Sequence, residues 1–266
     1  MSKIANIKLF TFPPVPEVYN ISPFGIKLES YFRVNDINYQ PIYTTKFSSQ
    51  GTIPYIKISG HGKEKDREVS DSNVVIDYFR NEAKFIDTDS QLLTRQERAT
   101  THAIIRMLEE HTAQIGFHYR YGRNMRNFLS SMNVGENVFN SDKSWTGSLV
   151  IKFWSWFQPG NTQKKSKFRG LSRHTDTVLW KFSADDLDCL EDILAVSSSS
   201  FFFGKDKATL IDCAVFGHVS QFLWIPIDFP QKQHIKEKCP RLFEFMFAFR
   251  KKYWPDWEDK CQKKNM

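Results

Sequence analysis

The chain has 266 residues, of which 41% are hydrophobic and 25% are charged, a balance that excludes a wholly disordered protein. This length supports one large domain or two moderate ones with a sizeable core. The formal net charge of +7 favours contact with acidic surfaces, but it does not by itself indicate a nucleic-acid-binding protein.

Targeting and redox signals indicate a protein of a reducing compartment. The first six residues contain no apolar segment of the kind that a secretory signal needs. The longest apolar stretch, residues 210–227, is interrupted by Asp212, His218 and Pro226, so it predicts a buried helix rather than a membrane span. None of the four cysteines forms a C-x-x-C pair, which fits reduced thiols better than a disulfide framework. We therefore expect a cytoplasmic protein without an integral membrane segment.

The first 80 residues alternate strand and helix signals. Ser22 is a favourable N-cap and Pro23 suits the first position of a helix that ends near Asn35. A second helix is predicted to begin at Asp71-Ser72. The predicted strands are residues 7–12, 37–43 and 52–58, with a fourth at Glu68-Val69.

Residues 87–90 are polar and are interpreted as a linker, beyond which all signals are helical. Ser183-x-x-Asp186 and Thr209-x-x-Asp212 are each interpreted as the capped start of a helix. Residues 160–174 carry five basic residues and no acid before His174, and are interpreted as an exposed basic loop. Further helices are predicted over residues 94–121, 149–157 and 240–253. Strands followed by helices in this segregated order predict an α+β protein with two packed units.

Ser22 is a candidate for the activation of a thiol. A helix N-terminus favours anions, and a hydroxyl placed there would donate to a thiolate and lower its pKa. The alternative is that Ser22 only caps its helix, which is the commonest role of serine at such a position.

Ile53-Pro54 and Asp71-Ser72 are candidates for binding a peptide-like ligand. A proline that enters a strand opposite a helix N-terminus is often cis, which turns backbone groups outward for pairing with an extended peptide. The Ser72 hydroxyl would hold a carboxylate and Asp71 an amino group, as the zwitterionic end of a γ-glutamyl group requires. The alternatives are an ordinary trans proline and an ordinary helix cap.

The order Ser-Pro-Phe, Ile-Pro, Asp-Ser and then a helical domain resembles the glutathione transferase fold, with a thioredoxin-like first domain and an all-α second domain. The resemblance implies a cis peptide bond before Pro54 and glutathione as the ligand. It gives Ser22 the place of the activating residue, makes Ile53 the backbone partner of the tripeptide, and assigns its amino and carboxylate ends to Asp71 and Ser72. Thr209-Leu210-Ile211-Asp212 is similar to the capping box of the second domain.

The chain also resembles the failed axon connections family, relatives of the metaxins, over roughly residues 6–258. This resemblance implies a role in neuronal development and uncertain transferase activity; some members are membrane-anchored, but anchoring is not expected here. The predicted boundaries are a thioredoxin-like domain at 1–87, an all-helical domain at 92–258 and a basic tail at 259–266. The motifs that carry the resemblance are Phe12-Pro13-Pro14-Val15-Pro16, Ser22-Pro23-Phe24, Leu108-Glu109-Glu110-His111-Thr112, Phe216-Gly217-His218 and Tyr253-Trp254-Pro255-Asp256-Trp257.

The histidines of the helical part do not indicate a metal site. His111 and His118 are seven residues apart, without the four-residue spacing of a zinc-binding helix. They are interpreted, like His218, as buried and hydrogen-bonded structural residues. Cys213 has no basic neighbour in the sequence and is interpreted as an inert core thiol. No metal is therefore expected.

Two hypotheses follow. In the first, the chain is a glutathione-dependent enzyme in which an apolar electrophile enters the interdomain cleft. In the second, it is a non-catalytic interaction or adaptor protein of the same fold, with a role in axon development or a metaxin-like role and a protein partner. The basic loop lacks the interleaved aromatic residues of a nucleic-acid platform, so no nucleic acid is expected. Oligomeric state stays open, although chains of this fold are often homodimers.

Overall fold

The computed structural model describes residues 7–59, 66–131 and 170–261. An α/β unit comes first in the chain and a helical unit follows it. Four strands form one mixed sheet in the order β2-β1-β3-β4. The strands are β1 (Ile7–Thr11), β2 (Gln40–Tyr43), β3 (Tyr55–Ile58) and β4 (Arg67–Ser70).

Helices account for most of the described part of the second half of the chain. The helices are α1 (Pro23–Val34), α2 (Ser72–Asp77), α3 (Thr88–Leu92), α4 (Arg95–Met107), α5 (Ala113–Phe117), α6 (Met125–Ser131), α7 (Asp176–Ala195), α8 (Leu210–Leu223), α9 (Pro230–Lys238), α10 (Pro240–Tyr253) and α11 (Trp257–Cys261). Wider π-helical turns continue α2 and join α4 to α5, so residues 95–123 follow one nearly unbroken helical path. No helix among the described residues is long and apolar enough to cross a membrane.

The strand register brings three chain segments to one edge of the sheet. β1 runs parallel to β2 and antiparallel to β3, which is antiparallel to β4. Tyr55, the first residue of β3, pairs with both Phe10 and Ser70. The last residues of β1 and β4 and the first residue of β3 therefore meet at that edge.

The predicted fold class is confirmed, but β1, β2 and β3 are each shorter than predicted. β2 begins at Gln40 rather than at Ile37, because the residues after α1 complete the helix end. Asp36 has a positive φ of 55°, and the Ile37 N–H donates to the Phe32 carbonyl at 2.9 Å. Residues 37–39, which the sequence pattern assigned to the strand, therefore precede β2.

The interpretation of residues 87–90 as a linker is wrong. Asp87 and Asp89 are buried around the start of α3, and Arg80 contacts their carboxylates at 2.6 and 2.8 Å. Asp89 also accepts from the Leu210 N–H of the helical unit at 2.7 Å. A run of polar residues thus forms a fixed joint, because the partly exposed Arg80 and a helix N-terminus compensate its charges.

The interpretation of Ser183 as a helix cap is also wrong. α7 begins after Thr175, and Ser183 and Asp186 lie in the middle of that helix. Ser183 accepts from the Gln231 amide at 3.1 Å, and Asp186 accepts from Thr112 and His111. The predicted helix over residues 149–157 and all but the last five residues of the basic loop lie outside the described residues.

The two units share one hydrophobic core across α1 and α8. Gly217 is required where these two helices meet. A Cβ there would lie 2.6 Å from the Pro23 carbonyl oxygen and 2.8 Å from the Lys27 backbone nitrogen. Trp254 and Trp257 are buried, and the Trp254 indole donates to the Ser30 hydroxyl of α1 at 3.0 Å. These contacts fix α1 against the helical unit along most of its length.

Candidate functional site

The residues predicted to bind a ligand converge on the sheet edge described above. Since Tyr55 pairs with Ser70, Pro54 and Asp71 lie side by side where β3 begins and β4 ends. The Asn20 side chain donates to the Thr11 hydroxyl at 2.6 Å and so ties the loop before α1 to the end of β1. Ser22 consequently begins α1 at the same edge.

Ser22 is the N-cap of α1, as the sequence predicts. Its hydroxyl oxygen accepts from the Gly25 N–H at 3.3 Å, and its own N–H donates to the Asn20 side-chain oxygen at 2.8 Å. Gly25 has a steric role, because a Cβ there would lie 2.8 Å from the Asn20 amide nitrogen. The capping contact uses Ser22 as an acceptor, so its hydroxyl hydrogen is not committed by that contact.

The Ile53–Pro54 peptide bond is cis. Asp71 has φ 76° and ψ 135°, and its carboxylate accepts from the Asn73 N–H at 2.8 Å as the N-cap of α2. Ser72 follows it with 1% of its surface exposed, and its hydroxyl has no hydrogen-bond partner among the described residues. Buried hydroxyls in folded proteins are usually hydrogen-bonded. The Ser72 hydroxyl hydrogen is therefore not committed to a partner among the described residues.

A buried ion pair that sequence reasoning missed lies beside the start of α2. The Lys27 ammonium is 2.5 Å from a Glu109 carboxylate oxygen and 2.7 Å from the Asn73 side-chain oxygen. The Asn73 amide donates to the other Glu109 oxygen at 2.7 Å. The three side chains thus link α1, α2 and the helical unit.

Burial and pairing act in opposite directions on this ion pair. Burial lowers the pKa of Lys27, although Glu109 favours its charged form. Burial alone would raise the pKa of Glu109, but the Lys27 ammonium and the Asn73 amide outweigh it and hold that pKa below the ordinary value. We regard both groups as charged at neutral pH, since each is hydrogen-bonded to the other.

The sequence does contain a signal for this pair. Lys27 lies on the same helical face as Phe24, Leu28 and Tyr31, where a lysine is out of place unless it has a buried partner. Glu109 follows Leu108, which lies on the inward face of the 94–121 helix. Nothing in the sequence indicates that these two charges meet.

A second buried group ties the loop before α1 to the helical unit. Arg120 is 2% exposed and donates to the Ile21 carbonyl at 3.0 Å and to the Gln221 side-chain oxygen at 2.9 Å. The Gln221 amide donates in turn to the Asn20 carbonyl at 3.1 Å. Burial lowers the pKa of Arg120, whose described hydrogen-bond partners are all neutral.

A small cavity lies at the seam between the two units. The described residues enclose a cavity of about 20 Å³ beside Pro23, lined also by Phe117, Arg120 and His218. Pockets that hold drug-sized ligands are ten or more times larger, at roughly 300–1,000 Å³. A groove of about 460 Å³ lies elsewhere, against Glu97 and Val196, and none of the predicted site residues lines it.

The histidines differ in part from their predicted structural role. His218 donates its Nδ1–H to the Ala214 carbonyl at 2.8 Å, but its buried Nε2 has no partner among the described residues. Burial lowers the pKa of His218 to about 4, so it is neutral at pH 7. His111 is half-exposed rather than buried, and its hydrogen bond to Asp186 raises its pKa. Burial raises the pKa of Cys213, in agreement with an inert core thiol.

Comparison with known proteins identifies two matching domain families. Residues 23–127 match the glutathione S-transferase N-terminal domain and residues 183–247 match the glutathione S-transferase C-terminal domain. Failed axon connections of Drosophila melanogaster is 28% identical over 269 residues, which cover 97% of this chain and 60% of the Drosophila protein. The chain therefore spans about 60% of the length of that relative.

Other similar proteins are enzymes or glutathione complexes by name. Isoprene-epoxide–glutathione S-transferase of Rhodococcus sp. (strain AD45) is 24% identical over 257 residues, covering 93% of this chain and 99% of that protein. A β-etherase from Sphingobium sp. strain SYK-6 has a similar structure, with a TM-score of 0.58, 12% identity and coverage of 92% and 95%. A glutathione S-transferase of Ceriporiopsis subvermispora in complex with glutathione gives a TM-score of 0.51 at 14% identity, covering 92% and 97%. These structural likenesses concern the fold, and the relationship to metaxins stays a prediction.

Proposed function

Because the chain belongs to the glutathione S-transferase family, we propose that it binds glutathione at the edge formed by Ile53-Pro54 and Asp71-Ser72. The observation that carries this proposal is the buried Ser72 hydroxyl, which has no hydrogen-bond partner among the described residues. Such a hydroxyl costs free energy unless it is paired, and a ligand carboxylate would supply the acceptor.

Each predicted residue has a distinct part in this proposal. Ser72 donates to the γ-glutamyl carboxylate of glutathione. Asp71 has one carboxylate oxygen on the Asn73 N–H and a second oxygen left for the γ-glutamyl amine. The Ile53 backbone, before the cis bond to Pro54, pairs with the cysteinyl residue of the tripeptide. The bound fold neighbour from Ceriporiopsis subvermispora supports glutathione as the ligand.

We expect at most weak transfer or conjugation of the thiol. Ser22 stays able to donate its hydroxyl hydrogen to a thiolate, which would lower the thiol pKa. An apolar electrophile, however, must reach the sulfur beside a cavity of about 20 Å³ that Arg120 and Phe117 help to close. Binding without efficient chemistry is the function that this geometry supports.

The closed seam also favours a second candidate function. Arg120 and Gln221 anchor the loop before α1 to the helical unit, which suits a fixed surface better than an open cleft. In this alternative the chain is a non-catalytic adaptor that binds a protein partner in the cytoplasm. The name of the Drosophila relative makes developing axons the place to look for that partner.

Calorimetric titration with reduced glutathione tests the proposed site. We expect saturable binding at millimolar glutathione, and its loss in Ser72→Ala and in the double variant Asp71→Ala/Ser72→Ala. Thr88→Ala is the matched control, because Thr88 also follows an aspartate N-cap and has a buried unpartnered hydroxyl, but lies at the interdomain joint. This control should bind like the natural protein.

The outcomes separate the two functions. Absence of binding at millimolar glutathione refutes the glutathione site and leaves the adaptor role. If glutathione binds but Ser22→Ala conjugates a nitroaromatic electrophile as fast as the natural chain, the assigned role of Ser22 is wrong while the binding site stands. Partner capture that survives Ser22→Ala and Ser72→Ala supports the adaptor function.

A further inference from the structure

Three side chains of metal-binding type meet on the helical unit, away from the candidate glutathione site. Asp188 lies in α7, His234 in α9, and Cys239 at the boundary between α9 and α10. One ligand atom from each lies within 4.8 Å of the other two. His234 Nε2 is 2.6 Å from an Asp188 carboxylate oxygen, and the Cys239 sulfur is 3.7 Å from that same oxygen.

The sulfur–oxygen separation in this cluster is close to that around a tetrahedral zinc ion. Bond lengths of about 2.3 Å to sulfur and about 2.0–2.2 Å to nitrogen and oxygen place tetrahedral sulfur and oxygen ligands about 3.6 Å apart. The observed sulfur–oxygen distance of 3.7 Å already agrees with that value. The nitrogen–oxygen pair, now hydrogen-bonded at 2.6 Å, must open to about 3.4 Å. Side-chain rotation alone provides a change of this size.

Exposure and charge at the cluster also suit a cation. The Asp188 side chain is 50% exposed and that of His234 is 24% exposed, so an ion can enter from solvent, whereas Cys239 is fully buried on the inner side. Glu191 and Asp192 follow Asp188 at the i+3 and i+4 positions of α7, on the same helical face. Their negative charges attract a divalent ion to this face.

We propose that Asp188, His234 and Cys239 bind Zn²⁺, with water as the fourth ligand on the solvent side. Carboxylate, imidazole and thiolate are the three side-chain ligands of zinc, and three protein ligands with one open position are a common zinc arrangement. The Cys239 thiol releases its proton to solvent as the Zn–S bond forms. His234 carries a hydrogen on Nε2 in its hydrogen bond to Asp188, so it exchanges that proton with solvent for one on Nδ1 and then gives Nε2 to the metal.

Sequence reasoning predicts no metal here because the ligands do not share a local motif. Asp188 is 46 residues from His234, and the spacing of His234 and Cys239 is not that of a zinc finger. The fold brings the three together by packing α9 and the start of α10 against α7. Bound zinc would therefore fasten these helices to one another.

The test uses full-length, tag-free protein stripped of metal with a chelator. Competition with a chromophoric zinc indicator measures the affinity, and replacement of zinc by Co²⁺ reports thiolate ligation through a sulfur-to-cobalt charge-transfer band. We expect one Zn²⁺ per chain, and affinity at least tenfold weaker in His234→Gln and Asp188→Asn. Cys239→Ser should in addition lose the charge-transfer band. Cys189→Ser is the matched control, since it removes a thiol from α7 outside the cluster, and it should leave both signals unchanged.

Two results would overturn the proposal. One is the absence of stoichiometric zinc binding in the natural chain. The other is binding that His234→Gln, Asp188→Asn and Cys239→Ser leave within twofold of the natural affinity. His234→Gln and Asp188→Asn change partly exposed side chains, so they keep the test valid if Cys239→Ser does not fold. Glutathione binding is not involved in any of these readouts.

Discussion

Removal of the Lys27 charge is the most direct test of how the two units are held together. Lys27→Met keeps the length of the side chain within the core but leaves the Glu109 carboxylate without its ammonium partner. The Lys27 side chain is 0% exposed and that of Glu109 is 3% exposed. Loss of one partner of such a buried pair destabilises a protein by about 3–5 kcal/mol. We expect Lys27→Met to lower the free energy of unfolding by that amount.

The contacts that Glu109 keeps in Lys27→Met decide how large the loss in the free energy of unfolding is. Asn73 still donates to one of its oxygens at 2.7 Å, and the half-exposed Arg106 lies 3.5 Å from the same oxygen. These contacts favour the lower half of the range, at about 3–4 kcal/mol. The double variant Lys27→Met/Glu109→Gln leaves no buried charge at the site, so it should be less destabilised than the sum of its two single variants.

Urea unfolding, followed by both tryptophan fluorescence and far-ultraviolet circular dichroism, measures these free energies if the two signals give coincident transitions. The control is Arg67→Met at the exposed ion pair with Glu82, whose side chains are 56% and 52% exposed. Surface pairs of this kind contribute at most about 1 kcal/mol. A cost of Lys27→Met below that of Arg67→Met, or strict additivity in the double variant, would refute the reasoning.

Two further predictions concern the helical unit. Thr209→Ala removes the hydroxyl that donates to Asp212 at 2.9 Å in the buried capping box of α8, and should cost about 1–2 kcal/mol in thermal unfolding. Thr94→Ala, in the exposed capping box of α4, should cost less, and the reverse order would contradict the prediction. The hydrogen bond to Asp186 raises the pKa of His111, so its stabilisation is complete below the ordinary histidine pKa of about 6.5 and is lost as the pH rises through the folded-state value. His111→Gln should remove this decline in melting temperature, whereas the exposed His102→Gln should keep it.

Helix boundaries were predictable where the signals are local. α10 runs from Pro240 to Tyr253, the predicted range, because a proline begins it and Trp254-Pro255 ends it. The Thr209 capping box likewise begins α8 where predicted. Ser183 shows where local signals fail. Ser183 and Asp186 have the spacing of a capping box, but they lie in the middle of a longer helix and their side chains bond to residues of other helices.

The residues of the candidate site were predictable, but their hydrogen bonds and ion pairs were not. The order of Ser22, Ile53-Pro54 and Asp71-Ser72, through its resemblance to the glutathione transferase fold, was enough to assign them to one ligand. The sequence could not show that the Ser72 hydroxyl lacks a partner, because that depends on every atom packed around it. Nor could it pair Lys27 with Glu109, which lies 82 residues further along the chain. Contacts at such separations are set by the packing of whole elements.

The proposed ligand would also affect the seam between the two units. Asn73 donates its N–H to Asp71, and its side chain bonds both Lys27 and Glu109. Glutathione held by Asp71 and Ser72 would thus lie one residue from the buried ion pair that connects α1 to the helical unit. Because a ligand stabilises the state that binds it, glutathione should oppose separation of the units in the natural chain.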